Sequence, residues 1–224
     1  MKTIIPIGGG SIPFTTVSID KYIVSLANVS KPKVLFIPLA SGDFQPYIDK
    51  FSDYYQSLGC EVDTLKLTTT DNDNLIRSKI FTANIIYIGG GNTAKMMRIF
   101  KRTKVNEYLI QAYEKGIILT GLSAGAMAYF TNGYSDSNKS TNPDASMTLV
   151  KCLNILPYCF CPHYNEEERK GFDEFIKQKK FNGLALEDNT ALVFIDGLLK
   201  GLIKSDENAK AYFINENSKE EITF

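Results

Sequence analysis

Six short runs rich in β-branched and aliphatic residues, 3–7, 33–37, 61–65, 84–88, 116–120 and 155–160, alternate with segments whose apolar residues recur at helical spacing. Strands of this length separated by helices are the pattern of βαβ units, so an α/β fold is expected, built on a mostly parallel sheet with helices on both faces. Tyr47, Ile48, Phe51, Tyr54, Tyr55 and Leu58 share one helical face before Gly59, and Val105, Tyr108, Leu109, Ala112 and Tyr113 do so before Gly116. Each helix then has one apolar face to lay on the sheet and a glycine to stop it. The runs 191–195, 198–203 and 210–215, separated by Asp196-Gly197 and Ser205-Asp206-Glu207, predict antiparallel C-terminal strands at an edge of that sheet. With 224 residues and no repeat or linker, one domain over 1–224 is expected.

In such sheets ligands bind beyond the carboxyl ends of the strands. The most distinctive of those ends is Gly121-Leu122-Ser123-Ala124-Gly125, preceded by Ile117-Ile118-Leu119. A strand turning sharply into a helix lifts a serine hydroxyl clear of the sheet, and small neighbours let the turn close. A plain strand-to-helix turn with a capping serine has the same five-residue pattern. Composition separates the two: the chain has one histidine, His163, so a single imidazole is available to take a proton from Ser123. His163 precedes Asn165-Glu166-Glu167-Glu168, which reads as an N-cap and acidic first turn of a helix running through Phe172, Phe175 and Ile176. The acid that orients the imidazole is Asp188, Glu187 or Asp136. The N–H of Ala124 and one from Gly89-Gly90-Gly91 are the candidate oxyanion donors. The polar stretch 131–146 is expected to be a loop near this site.

Lysines plus arginines equal aspartates plus glutamates at 25 each, so no overall field draws the chain to nucleic acid or an anionic membrane; a small, roughly neutral partner fits better. No stretch reaches the roughly 18 apolar residues of a membrane span, and the N-terminus reads without a cleavable apolar segment, so a cytoplasmic protein is expected. Cys60, Cys152, Cys159 and Cys161 form neither a C-x-x-C pair nor a zinc pattern with the lone histidine and read as buried reduced thiols. No metal or cofactor is expected. Gly8-Gly9-Gly10-Ser11 lacks the Walker lysine and the G-x-G-x-x-G spacing and reads as a turn. Asp71-Asn72-Asp73-Asn74 lacks the glycine and terminal glutamate of a calcium loop and reads as a helix cap.

Five segments, Phe36-Ile37-Pro38-Leu39-Ala40-Ser41, Tyr87-Ile88-Gly89-Gly90-Gly91-Asn92-Thr93, Gly121-Leu122-Ser123-Ala124-Gly125-Ala126, Pro162-His163-Tyr164 and Glu187-Asp188-Asn189-Thr190-Ala191-Leu192, together resemble the peptidase E family, the aspartyl dipeptidases and their cyanophycinase relatives. The resemblance implies a glutaminase-like (flavodoxin-like) α/β sandwich in which a serine stands where the amidotransferases carry cysteine. It implies hydrolysis of peptide bonds adjoining aspartate, and a monomer or homodimer acting on a small peptide is expected. Ser123 becomes the nucleophile, His163 the base, Asp188 the acid, and Gly91 and Ala124 the oxyanion donors. Asn92 and Arg169 become substrate-binding residues, Arg169 as the arginine downstream of the histidine that takes a substrate carboxylate. Some relatives are assigned an aspartate in the loop after the nucleophile, which keeps Asp136 open. Two other readings stand beside this one. An α/β-hydrolase esterase shares G-x-S-x-G but orders its triad serine, acid, histidine, and a catalytically inactive small-molecule-binding homologue keeps the fold without turnover.

Overall fold

The computed structural model describes residues 1–224. Its first half runs β1 (Thr3–Ile7), α1 (Val17–Ser25), β2 (Lys33–Ile37), α2 (Gln45–Ser57), β3 (Glu61–Thr64), α3 (Asp73–Thr82), β4 (Ile85–Ile88), α4 (Thr93–Arg102), α5 (Val105–Glu114) and β5 (Ile118–Leu122). The second half runs α6 (Ala124–Met127), β6 (Phe130–Ser135), β7 (Thr148–Lys151), β8 (Leu156–Cys161), α7 (Phe172–Lys179), β9 (Gly183–Leu186), β10 (Thr190–Ile195), β11 (Leu198–Lys204), β12 (Ala211–Ile214) and β13 (Lys219–Glu221). Seven strands form one sheet in the order β11-β10-β1-β5-β4-β2-β3, parallel from β1 to β3 and antiparallel at β10 and β11. The protein is a flavodoxin-like α/β sandwich with a mostly parallel main sheet.

Period-two alternation divides the strand side chains between two faces. Ile5, Ile7, Val34, Phe36, Ile85, Tyr87 and Ile118 pack with Ile19 and Ile23 of α1 and Ile48, Phe51 and Tyr55 of α2. Ile4, Leu35, Ile37, Ile86, Ile88 and Leu119 face the other way, toward α3, α4, α5 and a second sheet. Asn72 caps α3 as expected, its side chain accepting from the Leu75 N–H at 3.0 Å.

The second sheet is where the structure departs from the sequence reading. Its order is β13-β12-β9-β8-β6-β7, and β8 runs parallel to both β6 and β9. The run expected at 155–160 is therefore the centre of a separate sheet, because an apolar strand is equally stable in either and only long-range pairing decides. The stretch 131–146 is not a loop throughout. Its first residues belong to β6, where Gly133 and Tyr134 are buried and β7 and β8 supply ladder partners on both sides, overriding weak strand propensity. The C-terminal strands divide: β10 and β11 edge the main sheet while β12 pairs with β9. Strand β5 starts at Ile118, since Gly116 turns the chain out of α5, and it ends at Leu122, directly before Ser123. No α-helix starts at Asn165; a short 3-10 turn at Glu167–Arg169 leads into α7, which packs Phe172 and Ile176 on the outer face of the second sheet.

Asp20 ties α1 to α2 beneath the main sheet, accepting from Thr16 Oγ1 (2.8 Å) and Tyr55 Oη (2.7 Å). Burial of this carboxyl raises its pKa to about 6, with the hydroxyls of Tyr55, Thr16 and Tyr54 pulling it back. The unfolded chain releases that proton near 3.9, so between about pH 4 and 6 the native state binds more protons and loses stability as the pH rises. In urea unfolding at pH 4.5 and pH 7, Asp20→Asn should show a smaller loss on going to pH 7 than the wild type. An equal loss in both proteins would place the effect on other groups.

Candidate active site

Because β1, β2, β4 and β5 are parallel, their carboxyl ends share one edge of the sheet. The loops leaving that edge, represented by Gly10, Ser41, Gly91 and Ser123, line an open cavity of about 520 Å³. The second sheet presents its own carboxyl edge here: His163 follows the end of β8 and Asp188 follows the end of β9, each by two residues. Backbone bonds lock the two edges together, with the His163 N–H donating to Gly8 O (3.1 Å) and the N–H of Asn189, in the turn from β9 to β10, to Gly9 O (3.0 Å).

At the junction Ser123 Oγ lies 2.8 Å from His163 Nε2, and His163 Nδ1 lies 2.7 Å from Asp188 Oδ1. The hydrogen bond to His163 is the main influence holding the Asp188 carboxyl below its usual range, against the opposing effect of burial. An ionised carboxylate only accepts, so Nδ1 carries the proton of a neutral ring and Nε2 turns its lone pair to the serine. Asn165 fixes the acid from behind: its Oδ1 accepts the Asp188 N–H at 2.9 Å and its Nδ2 donates to Asp188 Oδ2 at 3.3 Å. Ser123 (φ 55°, ψ −110°) and His163 (φ 53°) both have left-handed φ, an unfavourable conformation for side chains of this kind. Gly125 lets the turn at Ser123 close, since a Cβ there would sit 2.0 Å from Ile88 O.

The remaining expectations separate. The Gly91 N–H has no protein acceptor, and Ala124 opens α6 with an N–H that has no acceptor inside the helix. Asn92 is not turned to the cavity. Its Oδ1 caps α4 by accepting the Lys95 N–H (2.9 Å), and its Nδ2 donates to Ser137 O (2.9 Å) and Ser140 Oγ (3.0 Å), so it braces the glycine loop. Arg169 does not reach the cavity either. Its side chain is 3% exposed and bonds Tyr134 O (3.1 Å) and Asp136 Oδ2 (3.0 Å), a buried cation taking the acceptors around it. Asp136 is thus engaged by Arg169. Glu187 points elsewhere, its Oε2 accepting the Lys210 N–H at 2.9 Å.

Two contributors were not singled out in the sequence. Gly9 was read as part of a turn, yet a Cβ on it would lie 1.8 Å from Asp188 Oδ1 and 2.4 Å from His163 Nδ1, so only glycine lets the loop after β1 pass behind that pair. Asn165 was read as a helix cap, and its place two residues after the lone histidine was the available signal. No group of three or more His, Cys, Asp or Glu side chains is arranged to hold a metal ion, and no helix is long and apolar enough to cross a membrane.

A sequence model of Peptidase family S51 matches residues 4–202. The "Uncharacterized peptidase YgaJ" of Bacillus subtilis (strain 168) is 35% identical over 217 residues, covering 95% of this chain and 91% of that protein. The "Probable alpha-aspartyl dipeptidase" of Drosophila melanogaster is 28% identical over 200 residues, covering 84% of this chain and 78% of that one. Among solved structures, a peptidase from an acI-B1 Actinobacterium superposes with a TM-score of 0.78 at 19% identity, covering 100% of this chain and 94% of the other, a likeness of fold.

Proposed function

This chain belongs to Peptidase family S51, and from that premise we propose that it is a serine-type dipeptidase or exopeptidase acting on short peptides through an acyl-enzyme. The observation that carries the reading is the continuous hydrogen-bonded series Ser123, His163, Asp188 at the wall of the cavity. Ser123 Oγ attacks the scissile carbonyl carbon as its proton passes to His163 Nε2, and Asp188 stabilises the imidazolium that forms. The N–H groups of Gly91 and Ala124 take the developing oxyanion. Collapse of the tetrahedral intermediate breaks the C–N bond, with His163 giving its proton to the departing amine. A water molecule, deprotonated by the same imidazole, then releases the acid and restores Ser123.

The name of the Drosophila melanogaster relative, probable alpha-aspartyl dipeptidase, favours an aspartyl peptide as substrate. Four free cysteines fit a reducing compartment such as the cytoplasm. The test is a dipeptide panel with aspartyl, alanyl, glutamyl and arginyl N-termini, read as free amino acid released, alongside labelling with a serine-directed phosphonate. Turnover of one or more peptides with stoichiometric label on Ser123 is expected. A folded protein that neither takes the label nor turns over any of the peptides would sink the reading.

A further inference from the structure

We propose that Tyr47 and Lys50 of α2 form a carboxylate-binding subsite in the cavity beside Ser123, so that the substrate's anionic group is held from this helix. The inference deepens the peptidase reading and rests on it for the nature of the ligand. Three residues apart, the two side chains share a helix face, and both line the cavity. Tyr47 Oη is buried facing the Gly90 N–H, and no protein acceptor takes its hydrogen. Its ring is fixed edge-on to Phe36, with centroids 5.1 Å apart, and rests against Gly89. Buried hydroxyls are usually paired with protein or water, and of the three tyrosine hydroxyls without a protein partner, those of Tyr47, Tyr54 and Tyr87, only that of Tyr47 belongs to a residue lining the cavity. Burial lifts its pKa to about 12, with the Gly90 N–H opposing, so it remains a donor at neutral pH.

Lys50 supplies the charge. None of the protein's lysine salt bridges involves it, and its Nζ stands 4.2 Å from the centroid of the Phe14 ring, which steers the ammonium without neutralising it. No acidic residue lines the cavity, and Arg169 is occupied elsewhere. Two donors without an acceptor, beside the apolar Ile12, Phe44 and Leu122, match a peptide that brings its own carboxylate. That group is either an aspartyl side chain or the peptide's free C-terminus.

The experiment separates the two sources and separates this proposal from the peptidase reading. Binding of Asp-Leu, Asn-Leu and Asp-Leu-amide to Ser123→Ala protein is measured by calorimetry, with and without Lys50→Gln, Lys50→Arg or Tyr47→Phe. Loss of the relevant carboxylate from the ligand is expected to weaken binding about tenfold. Lys50→Gln should erase that difference, Lys50→Arg should restore most of it, and Tyr47→Phe should weaken binding a few-fold. A penalty on Asn-Leu identifies the side chain as the source, and a penalty on the amide identifies the C-terminus. Carboxylate discrimination unchanged by Lys50→Gln and Tyr47→Phe, or no binding of any of the three, overturns the subsite. Hydrolysis by the unsubstituted protein is read separately: turnover without Lys50-dependent discrimination removes only the subsite, and Lys50-dependent binding without turnover supports the subsite and removes only the peptidase reading.

Discussion

Ser123→Ala is expected to lower kcat for peptide hydrolysis by about 10⁴- to 10⁶-fold, His163→Ala by a similar factor, and the double substitution by no more than either alone. The non-additivity follows from shared action: without the imidazole the hydroxyl keeps its proton, and without the hydroxyl the imidazole has nothing to activate. Stability should hardly change in Ser123→Ala, because the Oγ is bonded to His163 alone while the strained turn is kept by the backbone bond from the Ser123 N–H to Ile7 O at 3.0 Å. The measurement is kcat on a common dipeptide, with thermal unfolding to verify folding. Two other serines line the cavity. Ser41 Oγ is committed to Pro38 O at 2.7 Å, and Ser11 has its N–H, not its hydroxyl, bonded to Thr15. Neither has an imidazole beside it, so retention of more than a few per cent of the turnover by Ser123→Ala would remove the nucleophile assignment and leave no ready substitute.

What the sequence made legible was local. Alternating runs announced β1, β2, β3 and β4 nearly to the residue, and the G-x-S-x-G pattern with one histidine pointed to two side chains that the fold brings to 2.8 Å. What it concealed depends on pairing at a distance. Glu187 and Asp188 are neighbours after a strand, and which of them faces the imidazole turns on the pleat and on where β9 sits against β8. Nothing local marks 156–161 and 183–186 as strands of a second sheet. Arg169 was assigned to a substrate because of its position after the histidine, yet its surroundings offer a buried carbonyl and a carboxylate, and the guanidinium turns inward to them. Tyr47 illustrates the reverse case. Helical spacing placed it with the residues that face the sheet, and its ring does pack on Phe36, but at the first turns of α2 the sheet has ended and the same face opens into the cavity.

The choice among the three carboxylates leads to a pair of opposite expected results. In Asp188→Asn the side chain can present an NH₂ group to His163 Nδ1 while its carbonyl takes the bond from Asn165 Nδ2. The imidazole then places its proton on Nε2, facing a hydroxyl it can no longer deprotonate, and turnover is expected to fall by about 10⁴-fold, the size of effect this change has in a Ser-His-Asp triad. The contacts are of similar size and shape, so stability should fall little. Asp136→Asn should do the reverse. Arg169 is 3% exposed and loses its closest anion, leaving Glu166 Oε2 at 3.7 Å as the remaining one. Breaking a fully buried pair costs about 3–5 kcal/mol. Asp136 is 42% exposed, which reduces the expected loss to about 1–3 kcal/mol, and turnover at a temperature where the variant is folded should stay within about tenfold of the wild type. Urea unfolding and kcat measured on both variants decide between the acids. If Asp136→Asn were the inactive, stable protein and Asp188→Asn the active one, the contact at 2.7 Å between His163 and Asp188 would be structural, and the working acid would have to reach the imidazole through a rearrangement that frees Asp136 from Arg169.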